Sequence, residues 1–132
     1  VIAPGPRSLV STGSSFEREA GYSRAVVVPP FVFVSGTTGY DYASMTMPEG
    51  FEAQAENTLD TIARALESAG AGLHDVVRLT CIITDAAHAP LLFPILGRRF
   101  GAIRPANTTY VAGLIRPEMK VEIEATALMT QG

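Results

Sequence analysis

Between Ser23 and Gly36 the chain reads SRAVVVPPFVFVSG, two β-rich runs parted by Pro29 and Pro30. Proline cannot donate to a strand ladder, so the pair predicts the turn of a hairpin. Successive strand side chains point to opposite faces, and here both faces are apolar. Phe31 and Phe33 stand against Val32 and Val34, and Val26 and Val28 against Ala25 and Val27. A sheet built on this hairpin therefore needs cover on both sides.

The rest of the chain supplies cover for one side. From Phe51 to Ala69 the residues Phe51, Ala55, Leu59, Ile62, Leu66 and Ala69 recur every three or four positions, and Gly70 follows where a C-terminal cap belongs. A second helix is predicted from Ala89 to Phe100, with Leu92, Phe93, Leu96 and Phe100 on one stripe and Gly101 beyond its end. Pro90 suits a first turn, whereas Pro94 would cost about 3 kcal/mol in a helix interior, so a late start or a bend is expected.

Three further strands are read in DVVRLTCIIT, NTTYVA and KVEIEATALM, the last two joined by a loop around Pro117. In the first of these, Val77, Leu79, Cys81 and Ile83 form an apolar face, and Val76, Arg78, Thr80 and Ile82 a mixed one. Residues 1–21, rich in Gly, Ser and Pro, read as irregular chain. The order is two strands, helix, strand, helix, two strands, and right-handed crossovers place both helices on the same face. The other face is left for a second copy of the protein.

A chain of 132 residues is expected to form a single domain, 1–132. Its 47% hydrophobic residues against 17% charged exceed what a lone small domain usually needs, again pointing to an oligomer. The net charge of −3, without any Lys/Arg run, argues against nucleic acid and acidic membranes as partners. The single cysteine, Cys81, lies among apolar residues and reads as a buried thiol. No apolar run reaches the ~20 residues of a membrane span, and the start lacks a basic region followed by an apolar one. A cytoplasmic location is expected. His74 and His88 lack ligand spacing, so no metal is expected.

In KVEIEATA, Val121, Ile123, Ala125 and Ala127 share the core face, while Glu122 and Glu124 point the other way, toward water or a site. The segments GYSRAVVV, FVFVSGTTG, QAENTLDTIARALESAGAGLHDVVRLTCIITD and RPANTTYVAGLIRPEMKVEIEATA fall in an order that resembles the Rid (YjgF) family of reactive-intermediate deaminases, over roughly residues 16–130. That resemblance implies an α+β, chorismate-mutase-like fold: a mixed sheet with two helices on one face, assembled as a homotrimer with small-molecule clefts between subunits. Active members hydrolyse enamines and imines to carbonyl compounds and ammonia, without metal or cofactor.

The resemblance also implies site residues. Tyr22 matches the substrate-flanking tyrosine, Ser35 and Gly36 in SGTTG match substrate-binding positions, and Glu122 matches the glutamate that helps handle water and is the candidate catalytic group. Asn107 stands where the family carries an arginine for the substrate carboxylate. An amide can donate a hydrogen bond but cannot neutralise a carboxylate, so a non-standard substrate is implied. Thr109 replaces a frequent cysteine and Phe93 an asparagine. Arg24, which shares strand parity with Tyr22, and Arg104 are candidate replacements for the missing guanidinium. Two readings follow, a hydrolase of C=N bonds resembling 2-iminobutanoate/2-iminopropanoate deaminases and a non-catalytic trimer that binds a small molecule. A nuclease role fits poorly with an acidic chain.

Overall fold

The structure, a computed structural model, describes residues 6–130. Its elements are β1 (Ser8–Val10), α1 (Ser15–Ala20), β2 (Ala25–Val28), β3 (Phe31–Thr37), α2 (Phe51–Ser68), β4 (Val76–Ile83), α3 (Ala89–Phe100), β5 (Ala106–Val111) and β6 (Val121–Leu128). The strands form one sheet in the order β1-β2-β3-β6-β4-β5. The β4–β5 pair is parallel and every other pair antiparallel, so the sheet is mixed as expected.

The hairpin turns at Pro29 and Pro30, setting Val28 opposite Phe31 and Ala25 opposite Val34. Ala25, Val27, Val32, Val34, Leu79, Cys81, Val121, Ile123, Ala125 and Ala127 are buried in one core with Ala55, Leu59, Ile62 and Leu66 of α2 and Leu92, Ile95 and Phe100 of α3. Both helices thus lie on one side. The opposite face leaves Phe31, Phe33, Leu128 and Tyr110 exposed, and Phe31 and Phe33 stack at 5.9 Å.

Four expectations need correction. Residues 11–14 are irregular as expected, but the segments on either side of them are not. Ser8–Val10 pairs with β2, and Ser14 caps α1 by accepting from the Phe16 amide. Gly13 and Gly21, at φ 76° and 71°, turn the chain into and out of that helix. Residues 1–5 of the same expected segment lie outside the described residues.

In β4, Val76 is buried and Val77 exposed. The register with β6 shifts between Val76 and Arg78, and this bulge reverses the alternation at the strand's start. Phe93 is 54% exposed and does not join the core stripe of α3, which is Leu92, Ile95 and Phe100. Finally, α3 has no late start: it begins at Ala89, as its spacing predicts, and Pro94 lies inside it. Pro94 and Pro90 are both exposed, so the carbonyl left without its helical donor meets water.

Candidate functional site

Glu122 projects from β6 on the face away from the helices, directly across from Ile82. A cavity of about 120 Å³ opens there, lined by Tyr22, Gly36, Tyr42, Met119 and Glu122, with Phe16, Glu19 and Ala20 of α1 as one wall. Gly36 is what admits the carboxylate, since a Cβ at that position would lie 3.0 Å from Glu122 Cδ. Burial, reinforced by the neighbouring charge of Glu124, pushes the Glu122 carboxyl above the usual range, with Arg24 acting in the opposite sense. Burial likewise raises the Tyr22 phenol. A carboxyl held in this way can carry a proton nearer to neutral pH than an exposed one.

Arg24 does not reach this cavity. It is fully buried behind it, with its guanidinium 4.3 Å from the centre of the Tyr42 ring and 5.7 Å from that of Tyr22. Its Nη1 donates to the Gly36 carbonyl at 2.8 Å and to Thr37 Oγ1 at 3.1 Å. Its Nη2 lies 3.6 Å from Glu17. Glu17 in turn accepts from the Ser11 hydroxyl at 2.9 Å and from the Thr12 hydroxyl and amide. Burial alone would raise the Glu17 carboxyl, but these hydrogen bonds and the Arg24 charge hold it below its ordinary value. Arg24 therefore fastens α1 and the Gly36 turn to each other instead of presenting a cation to a ligand.

Ser35 also turns away, donating its hydroxyl to the Ser23 carbonyl at 2.6 Å. That bond, with Ser35 N to Arg24 O at 2.9 Å, fixes the start of the β3 irregularity that leads to Gly36.

The remaining sequence candidates gather elsewhere. In β5, Asn107 is level with Leu79 and Thr109 with Cys81, so both point to the helix side of the sheet. The Thr109 hydroxyl donates to Asn107 Oδ1 at 2.7 Å, and Asn107 Nδ2 approaches Cys81 Sγ at 3.7 Å. Cys81 is buried, as its apolar setting predicts, and burial raises its thiol. A cavity of about 310 Å³ lies between α3 and β5, lined by Leu79, Leu96, Gly97, Phe100, Arg104 and Asn107. Phe93 is four residues before Gly97 and so occupies the same helix face one turn earlier.

One protomer thus brings Tyr22, Gly36 and Glu122 together and, separately, Asn107, Thr109 and the Phe93 face of α3. The two groups are on opposite sides of the sheet, with β4 between β6 and β5. Sequence reasoning missed the α1 wall and the Gly97 cleft. The first had a signal in Ser14-Ser15-Phe16-Glu17, which has capping-box spacing. The second had one in a glycine inside a helical pattern.

Residues 12–129 match the family described as Endoribonuclease L-PSP. The chain belongs to this family. Among its curated members, the bovine (Bos taurus) 2-iminobutanoate/2-iminopropanoate deaminase is 29% identical over 123 residues, covering 92% of this chain and 90% of the relative. The RutC family protein UK114 of Drosophila melanogaster is 30% identical over 123 residues, covering 92% and 89%. Among solved structures, a Mycobacterium tuberculosis member of the YjgF/YER057c/UK114 family superposes with a TM-score of 0.87 at 40% identity, covering 94% of this chain and all of that one. The family relationship carries the fold, including the mixed sheet with both main helices on one face. Among the described residues no helix is long and apolar enough to cross a membrane.

Proposed function

We propose that the protein is a homotrimeric hydrolase of C=N bonds, acting on an enamine or imine at clefts that form where the Glu122 side of one copy meets the Asn107 side of another. The observation that carries this reading is the Glu122 carboxyl, partly buried beside Tyr22 and against Gly36, with its affinity for a proton raised by burial. Relatives named for 2-iminobutanoate and 2-iminopropanoate deamination support the reaction class. The exposed phenylalanines of β3 support assembly through the uncovered sheet face.

In this reading protonated Glu122 delivers its proton to the imine nitrogen, and the resulting carboxylate takes a proton from water as the oxygen adds to carbon. The carbinolamine then collapses, breaking its C–N bond, to give a carbonyl compound and ammonia. No group other than water is consumed. Because Asn107 is uncharged and already engaged by Thr109, the substrate differs from the α-imino acid for which the family arginine is suited.

The test is ammonia release from imines generated in situ by an amino-acid oxidase. The parent should act slowly on ordinary α-imino acids, Asn107→Arg with Phe93→Asn should raise their turnover, and Glu122→Gln should abolish it. A folded oligomer that binds small carboxylates but releases no ammonia from any imine offered would favour the non-catalytic reading.

A further inference from the structure

We infer that the Glu122 pocket is a cation subsite, and that its substrate is an iminium formed from an amine, with no carboxylate on the reacting carbon. This rests on the hydrolase reading above for the reaction and adds the substrate class, and its test below reads binding alone.

Glu122 differs from every comparable carboxylate in having no partner. Among the described residues the acidic side chains that are not exposed are Glu17, Glu56, Asp60, Asp75 and Glu122. Ser11, Thr12 and Arg24 hold Glu17, Arg99 holds Glu56 and Asp60, and Thr130 and the Gly72 amide hold Asp75. Glu122 has neither a hydrogen bond nor an ion pair among the described residues, and it lines the cavity. A partly buried carboxylate left open in this way is costly until a donor or a positive charge meets it.

The walls point to the same sign. Glu19 supplies a second carboxylate, and Phe16, Tyr22 and Tyr42 supply aromatic rings, whose faces attract cations. These rings already draw guanidinium groups on one side, Arg24 at Tyr22 and Tyr42 and Arg116 at Phe16. Neither arginine lines the cavity, and Arg24 is paired with Glu17. Other hollows of the molecule all carry an arginine beside their other groups. The α3–β5 cleft has Arg104, the hollow between Phe33 and Glu124 has Arg78, and the two along the outer side of α2 have Arg64.

This arrangement bears on which C=N compound fits. In an α-imino acid the carboxylate is bonded to the carbon of the C=N group itself. With Glu122 at the nitrogen, that carboxylate must lie in or at the rim of a cavity of about 120 Å³, against Glu19 and Glu122. Asn107, in place of the family arginine, offers it no charge. An iminium formed by two-electron oxidation of an amine meets no such repulsion. Water adds to its carbon and the C–N bond breaks, giving a carbonyl compound and ammonium, so the positive charge leaves with the nitrogen.

The experiment uses the full chain labelled with nitrogen-15 and titrates one carbon skeleton in three charge states: 3-methylbutylamine, 3-methylbutan-1-ol and 3-methylbutanoate. At about pH 8 the amine keeps its proton and the acid has lost its own. Binding is read at the Ala20 and Gly36 amides, which border the cavity. The amine should bind at least about ten-fold more tightly than the alcohol, and the acid should leave both signals unmoved. Glu122→Gln should bring the amine down to the affinity of the alcohol. Glu19→Gln, at an exposed position, should weaken the amine about three-fold and leave the alcohol unchanged. Glu67→Gln, an equal change of charge on the exposed side of α2, should alter nothing. Equal affinity for amine and alcohol, acid binding at these reporters as tight as the amine, a Glu19→Gln or Glu122→Gln variant that binds the amine like the parent, or an equal loss in Glu67→Gln would each overturn the inference. No compound in the series contains a C=N bond, so none of these outcomes depends on whether the chain hydrolyses an imine.

Discussion

The Glu122 pocket and the Asn107 cleft differ in face, in charge and in the way each uses arginine. The pocket is on the side of the sheet away from the helices, with carboxylates at Glu19 and Glu122 and aromatic rings from Phe16, Tyr22 and Tyr42. Its arginine, Arg24, is sealed behind it in a buried network with Glu17. The cleft is on the helix side, apolar, with its arginine exposed and outside the ion pairs found among the described residues. A buried guanidinium organises backbone, and an exposed one is free to meet a ligand. The two halves are complementary in charge yet separated by the sheet itself, so a ligand that touches both must lie between copies.

That contrast can be broken most forcefully at the arginines. Arg24→Met removes the cation paired with buried Glu17 and should cost about 3–5 kcal/mol in urea unfolding, the amount typical of removing one partner of a buried pair. Arg104→Gln should change stability by no more than about 0.5 kcal/mol, as surface substitutions usually do. Similar costs at the two positions would erase the distinction.

A smaller loss is expected at Gln54, which is fully buried on α2. Its Nε2 donates to the carbonyls of Pro48 and Glu118, both at 2.9 Å, and its Oε1 accepts from the Lys120 amide at 3.0 Å. These bonds hold the loop that carries Met119 into the Glu122 pocket. Gln54→Leu should cost about 2–3 kcal/mol, since three hydrogen bonds at roughly 1 kcal/mol each are lost. Hydrogen exchange should loosen in residues 116–120 and not along the α3–β5 cleft.

The smallest effect is a pH dependence. The Glu122 carboxyl is raised in the folded chain, so the folded state binds the proton more tightly than the unfolded one. Glu122 therefore detracts from stability above its folded pKa, and the penalty fades as pH falls toward the ordinary carboxylate range. Glu122→Gln should melt higher than the parent at pH 7, with the difference gone near about pH 3, below the ordinary glutamate pKa. Glu17, whose carboxyl is lowered, has the opposite sign, and Glu17→Gln should be most destabilising at neutral pH and least so in acid. Matching signs at the two positions would contradict the account of the pocket.

Much of the fold was legible because its signals are local and periodic. The Pro29–Pro30 turn, the run of α2 and the extent of α3 could all be read in advance, and so could the alternation in KVEIEATA. What escaped depends on distant partners. Nothing near Val76 marks the bulge that turns it inward, since that is a matter of register with β6. Phe93 has helical spacing suited to the core, yet it is exposed while Leu92 beside it is buried, a choice between adjacent helix positions that only packing makes. The short α1 has too few residues to show a period, and it is held by Arg24, seven positions beyond Glu17.

For the site, sequence reading could nominate Tyr22, Gly36, Glu122 and Asn107 but not sort them. Which face of the sheet each one occupies follows from strand register. The register of β5 on β4 sets Asn107 level with Leu79 on the helix side, and the register of β6 on β4 sets Glu122 opposite Ile82 on the other.

The central claim, that the two halves meet only between copies, is tested most directly by cross-linking in a Cys81→Ala background. Chains carrying Tyr22→Cys are mixed and reassembled with mass-tagged chains carrying Asn107→Cys, then treated with a short bifunctional thiol reagent. A covalent heterodimer, with no linked product when both cysteines are placed in one chain diluted into a cysteine-free excess, is the predicted result. An intrachain link at the mass of a single protomer, or a reassembled sample that sediments as a monomer and gives no heterodimer, would contradict it.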